Sequence, residues 1–387
     1  MHEAPFKVGG IVEPPYFIGR DEELSRLVED ARGLAQNVLV LAPRRYGKSS
    51  LLHNVRRRLA DEPNLLTPYV NCREITSAED FHRAAVSALL EAFERKRRVA
   101  GLLEAVRATV KEGVLTALRR VEEIGGSVSD VGRIYLRFRE HEVDAQELLR
   151  AAFRFFAAFC IEKEVRAVFV MDEFQEVASF DGQLFNLLKK ELDENPNVRY
   201  LFSGSSVRLL SSIFLREDAP LYLMVSRHFM QPLDEESVVE FVAQRLAVAG
   251  LSASPAAAQA VFEHSGGIPF YIQKLGLLLV HGAWLDSEDE IDQPDVERAF
   301  ARMLDELDGE FETRWTSRFS PQQRAILKTL ARLGTARLTD IAAAMDARPT
   351  DISSAIGRMK DMLILAADAS NGYAITDTVF SAWLVQD

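Results

Sequence analysis

The segment Ala42-Pro-Arg-Arg-Tyr-Gly-Lys-Ser49 has the residue types and the spacing that bind a polyphosphate in proteins. An apolar run over residues 37–41 precedes it and predicts a buried strand, and a helix is predicted to follow over residues 48–60. A loop in this position offers backbone N–H groups and the positive end of the helix dipole to an anion. Lys48 would reach the β- and γ-phosphates of a nucleotide, and the hydroxyl of Ser49 would bind Mg²⁺.

Glycine is expected at two places in such a loop, and this sequence keeps one of them. Gly47 lets the backbone approach a phosphate closely because it lacks a Cβ atom. Ala42 stands where the consensus has its first glycine, which is compatible with the loop if the φ angle of Ala42 is negative. The residues predicted to contact the nucleotide phosphates are Pro43, Arg44, Arg45, Tyr46, Gly47, Lys48, Ser49 and Ser50. ATP and Mg²⁺ are therefore the predicted ligands.

A pair of carboxylates supplies the second half of the predicted site. Asp172 and Glu173 follow an apolar run over residues 165–171, which predicts another buried strand. Asp172 would hold Mg²⁺ through a water molecule, and Glu173 would accept a proton from the water that attacks the γ-phosphate. An isolated pair of this kind would be interpreted as the cap of the short helix that follows. Together with the upstream loop, the nucleotide interpretation is favoured.

Polar side chains also follow the next predicted strand, residues 198–202. Ser203 and Ser205 are candidates for orienting the attacking water or sensing the γ-phosphate, although serines beside a glycine are also ordinary loop residues. Phosphoryl transfer further requires a cation that neutralises developing negative charge. Arg216 and Arg227 lie in the right region of the sequence, and both are equally compatible with a place on the surface.

The order of the predicted elements indicates an α/β fold. Further strands are predicted over residues 65–71 and 229–233, and residues 77–164 have helical periodicity. Strands that alternate with helices indicate a three-layer core around a parallel sheet. We expect this P-loop core to span residues 1–232 and to contain the helical stretch as an insertion.

Two smaller domains are predicted after the core. Residues 233–310 contain four acidic helices and are expected to form a helical lid domain. Residues 311–387 contain three short helices and then two strands around the turn Asn371-Gly372. Three helices followed by a β-hairpin are typical of a winged helix-turn-helix domain.

Composition excludes several classes of protein. The chain has 58 acidic and 46 basic residues and a net charge of −12, which argues against a surface coated for nucleic acid. Cys72 and Cys160 are far apart in apolar surroundings, which indicates reduced, buried thiols in an intracellular protein. The sequence shows neither a signal peptide nor an apolar run of membrane-spanning length, so a cytoplasmic location without membrane contact is predicted.

Five short motifs occur in a fixed order: Phe17-Ile-Gly-Arg-Asp-Glu-Glu-Leu24, Pro43-Arg-Arg-Tyr-Gly-Lys-Ser-Ser-Leu51, Met171-Asp-Glu-Phe-Gln-Glu176, Phe202-Ser-Gly-Ser-Ser206 and Gly266-Gly-Ile-Pro-Phe-Tyr271. In this order they resemble the archaeal and bacterial ATPase family of the STAND class, which is related to AAA+ and origin-recognition-type ATPases. The resemblance implies that Phe17, Ile18, Gly19 and Arg20 line the adenine and ribose. It also implies that the turn ending at Pro269 senses the nucleotide from the lid.

Three functional hypotheses follow. The first is a slow Mg²⁺-dependent ATPase that alternates between ATP and ADP and acts as a switch on a protein partner, which would also allow ATP-dependent self-association. The second is a DNA-binding ATPase that uses the winged helix as an initiator or regulator does. The third is a nucleotide-binding scaffold that no longer hydrolyses ATP. Measuring ATP turnover with and without duplex DNA separates the three.

Replacing Lys48 with alanine is expected to abolish ATP binding, because the variant lacks the ammonium group that contacts the β- and γ-phosphates. The measurement is a titration of the purified variant with ATP in the presence of Mg²⁺. Lys360→Ala, which removes a lysine outside all five motifs, is the matched control. An unchanged ATP affinity in Lys48→Ala would show that the phosphates bind elsewhere.

Overall fold

A computed structural model describes residues 4–33, 36–97, 145–179, 183–287, 289–369 and 371–386 of the chain. The chain divides into two compact units. The first unit contains Glu22–Leu41 and Leu51–Phe229 and is built on a parallel sheet. The second unit contains Met1–Asp21, Ala42–Ser50 and Met230–Asp387 and is largely helical. The predicted phosphate loop therefore groups with the N-terminal segment and the C-terminal part of the chain.

The first unit has a six-stranded sheet within its described residues, and all of the strand pairings are parallel. The strands are β1 (Val38–Leu41), β2 (Leu65–Leu66), β3 (Tyr69–Asn71), β4 (Arg166–Asp172), β5 (Val198–Gly204) and β6 (Ser226–Phe229). Across the sheet β2 and β3 both pair with β4, which is followed by β5, β1 and β6. Every residue of β1 is buried, so both faces of the sheet are covered there. The predicted α/β fold with a parallel sheet is confirmed.

Two strands differ from the prediction. The run over residues 65–71 forms β2 and β3 rather than one strand, because Pro68 has no N–H to donate to the ladder. The strand predicted over residues 229–233 lies earlier, as β6. The residues of β6 alternate between half-buried and exposed at the edge of the sheet. This strand therefore lacks the apolar run by which a buried strand is recognised in a sequence.

Helices pack on the sheet through aromatic side chains. They are α1 (Asp21–Gly33), α2 (Lys48–Arg58), α3 (Ala78–Arg97), α4 (Ala145–Glu162), α5 (Gln183–Glu194) and the short α6 (Val207–Leu210). The ring of Phe156 in α4 lies 4.5 Å from the ring of Phe169 in β4, centroid to centroid. The predicted helical insertion is described at its two ends, as α3 and α4. Its central part, residues 98–144, lies outside the described residues.

The second unit continues with four helices: α7 (Glu235–Val248), α8 (Pro255–Ser265), α9 (Pro269–Asp286) and α10 (Gln293–Arg318). Short strands β7 (Ser252–Ala253) and β8 (Glu290–Ile291) pair in parallel between them. A polar residue caps the start of α7: the carboxylate of Asp234 accepts a hydrogen bond of 2.8 Å from the backbone N–H of Ser237. Helix α10 runs to Arg318, so the predicted boundary between residues 310 and 311 lies inside it.

The C-terminal part of this unit contains three helices and a small antiparallel sheet. The helices are α11 (Pro321–Leu333), α12 (Leu338–Ala344) and α13 (Pro349–Asp361), and the strands are β9 (Ala336–Arg337), β10 (Leu365–Ala367) and β11 (Gly372–Ile375). A further helix, α14 (Thr378–Trp383), was not predicted, and its Phe380 packs against Phe311 of α10. Within the described residues, no helix has both the length and the hydrophobicity of a membrane span.

The turn between α8 and α9 depends on two consecutive glycines. Gly266 ends α8 with a φ angle of 58°, and Gly267 has a φ angle of 70°. This left-handed conformation is open to glycine and strained for other residues. The carbonyl oxygen of Gly267 accepts a hydrogen bond of 2.8 Å from the N–H of Leu233. A Cβ atom at Gly267 would overlap with the carbonyl oxygen of Leu233, so the turn has no room for a side chain.

Gly267→Ala is expected to lower the free energy of unfolding by at least about 2 kcal/mol, because alanine is strained at this φ angle and its methyl group would collide with Leu233. Equilibrium unfolding in urea measures the change. Gly309→Ala is the control, since a Cβ there meets nothing within 4 Å inside α10. The control should gain about 0.5–1 kcal/mol from better helix propensity. Equal stability of Gly267→Ala and the parent would contradict the described turn.

Candidate functional site

The phosphate loop, residues 42–48, curls around the ammonium group of Lys48. The Nζ atom of Lys48 is buried and donates to the carbonyl oxygens of Ala42 at 2.9 Å and Pro43 at 2.8 Å. The curl uses left-handed backbone at Arg45, with a φ angle of 76°, and at Gly47, with a φ angle of 83°. Ala42 does not adopt a positive φ angle. Alanine is therefore compatible with the position at which the consensus has glycine.

A cavity that is partly open to solvent lies beside the loop within the second unit. Its lining is mostly apolar and consists of Val12, Tyr16, Phe17, Ile18, Arg20, Tyr46, Gly47, Ser50, Leu233, Phe241, Pro269, Ile272 and Gln273. The structure thus brings Phe17, Ile18 and Arg20 together with Gly47 and Pro269, while Gly19 forms the left-handed bend between Ile18 and Arg20. A mostly apolar pocket with a few polar groups is typical of a site for a small organic ligand.

The side chain of Arg45 does not line this cavity. Its guanidinium lies over the rings of Phe270, Tyr271 and Phe311, 4.8–5.4 Å from the ring centroids. It also donates to the hydroxyl of Tyr271 and forms an ion pair with Glu310. The neighbouring Arg44 is exposed on the loop, and the structure therefore gives the two adjacent arginines different surroundings.

A chain of hydrogen bonds continues from Tyr271 to the C-terminal part of the unit. The hydroxyl of Tyr271 donates to Asp377 at 2.9 Å, and the second carboxylate oxygen of Asp377 pairs with Arg314 at 2.6 Å. The hydroxyl of Tyr46 in the loop donates to the carbonyl oxygen of Thr376 at 3.3 Å. The phosphate loop is therefore bonded both to the start of α9 and to the residues that precede α14.

The carboxylate of Asp172 lies at the carboxyl end of β4, in the first unit. It is buried, and both of its oxygens accept hydroxyl groups, Oδ1 from Ser203 and Oδ2 from Tyr69 at 3.1 Å. Ser203 belongs to β5 and Tyr69 to β3, and both strands pair with β4. The structure thus places Ser203 against Asp172, and Tyr69 is a contact that the sequence analysis missed.

The carboxylate of Glu173 is held by donors from three different segments. Oε1 pairs with the guanidinium of Arg73 at 3.1 Å, and Oε2 accepts from the amide of Gln175 at 2.6 Å. Oε2 also accepts from the backbone N–H of Ser205 at 3.0 Å and from its hydroxyl at 2.9 Å. Burial raises the pKa of Glu173, but the hydrogen bonds from Gln175 and Ser205 and the charge of Arg73 leave that pKa below its ordinary value. Glu173 is therefore ionised at neutral pH.

The two candidate arginines of the first unit lie apart from these carboxylates. Arg227 is exposed in the middle of β6, which is separated from β4 by β5 and β1. Three inter-strand spacings of about 4.8 Å put the two strands roughly 14 Å apart. Arg216 is exposed and engages Asp218 through Nε at 2.9 Å and Nη2 at 2.7 Å. The structure thus does not bring either side chain to Glu173.

The oxygen donors of the predicted metal site suit Mg²⁺. Asp172 offers a carboxylate, and Ser49 offers a hydroxyl at the start of α2. In the part of the chain that the structure describes, no three side chains of His, Cys, Asp or Glu form a cluster that could hold a metal ion. Magnesium in nucleotide sites needs few protein ligands, because phosphate oxygens and waters complete its octahedral shell. A carboxylate and a hydroxyl are each oxygen donors of the kind that Mg²⁺ accepts.

Comparisons with known proteins concern the fold and the type of domain. Residues 16–202 match the family model described as an AAA ATPase domain, whereas no curated protein matches the chain. A Walker-type ATPase of Pyrococcus abyssi shares 20% identity and a TM-score of 0.69, with 98% of this chain and 99% of that chain covered. The ORC2 protein of Aeropyrum pernix, solved in ADPNP–ADP complexes, shares 14% identity and a TM-score of 0.60, with 99% and 95% covered. The two structures show likeness of fold, and the domain match supports a P-loop ATPase domain of the AAA+ kind that binds nucleotide.

Proposed function

We propose that the chain is a slow, Mg²⁺-dependent ATPase of the STAND type, a switch that alternates between ATP and ADP and acts through a protein partner. The observation that carries this proposal is the phosphate loop, with the buried Nζ of Lys48 inside it and left-handed backbone at Arg45 and Gly47. The match of residues 16–202 to the AAA ATPase domain supports it.

Nucleotide binding would use the cavity and the loop together. The adenine and ribose would occupy the cavity lined by residues 17–20 and Pro269, and the phosphates would lie against the N–H groups of residues 43–50. Lys48 would exchange its two carbonyl contacts for oxygens of the β- and γ-phosphates. Ser49 and Asp172 would hold Mg²⁺, which neutralises charge on the phosphates when it is bound.

Glu173 is the candidate general base, and its surroundings support slow turnover. It is ionised and can therefore take a proton, but a lowered pKa makes it a weaker base. Its two oxygens already accept hydrogen bonds from Arg73, Gln175 and Ser205, so an attacking water must compete with them. The hydroxyl of Ser205, which is bonded to Oε2 of Glu173, would orient the attacking water beside that oxygen.

The chain of bonds from the loop to Asp377 supports a switch. We place the core at residues 1–232, the lid at residues 233–310 and a winged helix at residues 311–387, with α10 crossing the last boundary. The three helices and the antiparallel hairpin formed by β10 and β11 support the winged-helix interpretation. A change in the loop would reach this domain through Tyr271, since its hydroxyl joins Arg45 to Asp377.

The charges of α13 favour a protein partner over DNA. A winged helix reads DNA with the first residues of its third helix, which here include the exposed Asp351. Arg348 is committed to Asp351 through two contacts of 3.0 and 3.1 Å, and Arg358 donates to the hydroxyl of Ser354 at 2.6 Å. Helix α13 thus has two basic residues, Arg358 and Lys360, to neutralise phosphates, and its two aspartates, Asp351 and Asp361, oppose them. The alternative function is a DNA-binding ATPase that uses this winged helix as an initiator or regulator does.

Glu173→Gln is expected to bind ATP with an affinity within about threefold of the parent and to hydrolyse it about 10²–10⁴-fold more slowly, because the amide keeps the shape but takes no proton. Release of inorganic phosphate under single-turnover conditions, together with an ATP titration, measures both effects. Glu194→Gln, an exposed change on α5, is the control and should behave as the parent. Hydrolysis at the parent rate in Glu173→Gln would place the base elsewhere.

The full chain is expected to bind random-sequence duplex DNA more weakly than 1 μM at physiological salt, as its acidic surface and α13 offer few phosphate contacts (roughly 10⁻⁴–10⁻⁶ M is usual for non-specific binding). A fluorescence anisotropy titration at several salt concentrations measures this. Removing Arg358 and Lys360 together should leave the weak affinity unchanged. Sub-micromolar, salt-sensitive binding that these substitutions abolish would favour the DNA-binding ATPase instead.

A further inference from the structure

The N-terminal strap, residues 4–18, forms one wall of the cavity beside the phosphate loop. Val12, Tyr16, Phe17 and Ile18 of the strap all line that cavity. At the other end of the strap, Phe6 is buried with its ring edge-on to Phe241 of α7 at 5.9 Å. The strap contains no helix or strand. Its position therefore depends on contacts with the rest of the second unit.

The side-chain amide of Gln273 forms two hydrogen bonds with this strap, one as acceptor and one as donor. Its Oε1 accepts a hydrogen bond of 2.9 Å from the N–H of Lys7, and its Nε2 donates to the carbonyl oxygen of Tyr16 at 3.1 Å. Gln273 lies in α9 and is 6% exposed. One buried amide thus fixes the strap at two points nine residues apart, just before and within the segment that lines the cavity.

Arg245 of α7 makes a second buried attachment. It is 4% exposed, and its guanidinium donates through Nε to the carbonyl oxygen of Pro5 at 2.6 Å and through Nη2 to that of Ala4 at 2.8 Å. The same guanidinium lies 4.7 Å from the ring centroid of Tyr16, whose hydroxyl also donates to Ala4. A buried cation requires hydrogen-bond partners because its desolvation is costly. The strap provides such partners for Arg245 through the carbonyl oxygens of Ala4 and Pro5.

A third attachment joins the strap to the phosphate side of the cavity. The N–H of Val12 donates to the hydroxyl of Ser50 at 3.1 Å. Ser50 lies in the first turn of α2, directly after Lys48 and Ser49. The wall is therefore anchored to α7 by Arg245, to α9 by Gln273 and to α2 by the hydroxyl of Ser50.

We infer that Gln273 and Arg245 are positioning residues for the nucleoside part of the ligand. They hold the strap so that Tyr16, Phe17 and Ile18 face a planar base, while the phosphate loop is formed by other residues. The inference rests on the proposed function, since it takes the ligand to be a nucleoside triphosphate. Loss of either attachment weakens the affinity for the nucleoside and leaves the affinity for the phosphates unchanged.

The test compares two probes on the full chain: ATP and inorganic tripolyphosphate, each titrated calorimetrically with Mg²⁺. Gln273→Met keeps the side-chain volume but leaves Lys7 N–H and the Tyr16 carbonyl without their partner. Its affinity for ATP should fall about tenfold, the usual effect of such buried losses, while its affinity for tripolyphosphate stays within twofold of the parent. Gln259→Met, on the exposed face of α8 where the amide contacts Glu263, should change neither affinity.

Each other outcome overturns the inference. An unchanged ATP affinity in Gln273→Met, or equal losses for both probes, would show that the strap does not position the nucleoside. Arg245→Met provides a second variant with the same expected pattern, and it decides the matter if thermal unfolding shows that Gln273→Met is unfolded. If the parent protein binds tripolyphosphate as tightly as ATP, the inferred role of the strap in binding the nucleoside is wrong, but the proposed function stands. If the parent protein binds neither probe, the proposed function is wrong as well.

Discussion

Burial of the Lys48 ammonium is the constraint on which the phosphate loop depends. A buried charge is stable when it is hydrogen-bonded, and here the carbonyl groups of Ala42 and Pro43 turn inward to meet it. That turn needs left-handed backbone at Arg45 and Gly47. Glycine adopts it freely, but a residue with a Cβ atom such as Arg45 carries a strain of about 1–3 kcal/mol. The loop therefore requires compensating contacts at Arg45.

The side chain of Arg45 provides that compensation and, in doing so, joins the loop to the C-terminal part of the unit. Each aromatic face under a partly desolvated guanidinium contributes about 0.5–2 kcal/mol, and three rings lie within 5.4 Å of it. Burial and the nearby Asp377 raise the pKa of Tyr271 well above its ordinary value, so its hydroxyl stays protonated and donates. Asp377 also caps α14. The strain at one loop residue is thus balanced by a network that ends at the C-terminal helix.

The sequence was informative where chemistry follows from local order. Buried apolar runs predicted β1, β4 and β5, and in the structure Asp172 and Ser203, near the carboxyl ends of the paired strands β4 and β5, are hydrogen-bonded. Contacts between distant segments could not be predicted. Arg73 and Glu173 are 100 residues apart, and their pairing depends on how β3 lies beside β4.

Two other departures have the same origin in tertiary structure. Arg227 seemed close to the site along the chain, but the order of the strands inserts β5 and β1 between β6 and β4. Gln273 gave no signal because a glutamine within an apolar helix has many ordinary explanations, and its partners, Lys7 and Tyr16, lie more than 250 residues away. The candidate residues could therefore be named from motifs, whereas the residues that hold the motifs in place could not.

The contacts that hold the carboxylate of Glu173 would also limit it in the role of general base that we propose for it. Arg73, Gln175 and Ser205 fix the carboxylate at a residue with a left-handed φ angle of 53°, and they keep it ionised. Ionisation makes proton transfer possible, but every donor that lowers the pKa also weakens the base and occupies an oxygen that the water needs. Withdrawal of one donor would raise the pKa and open that oxygen at the same time. If Glu173 is the general base that we propose, the rate of hydrolysis would depend on how firmly Arg73, which follows β3, and Ser205, which follows β5, hold its carboxylate.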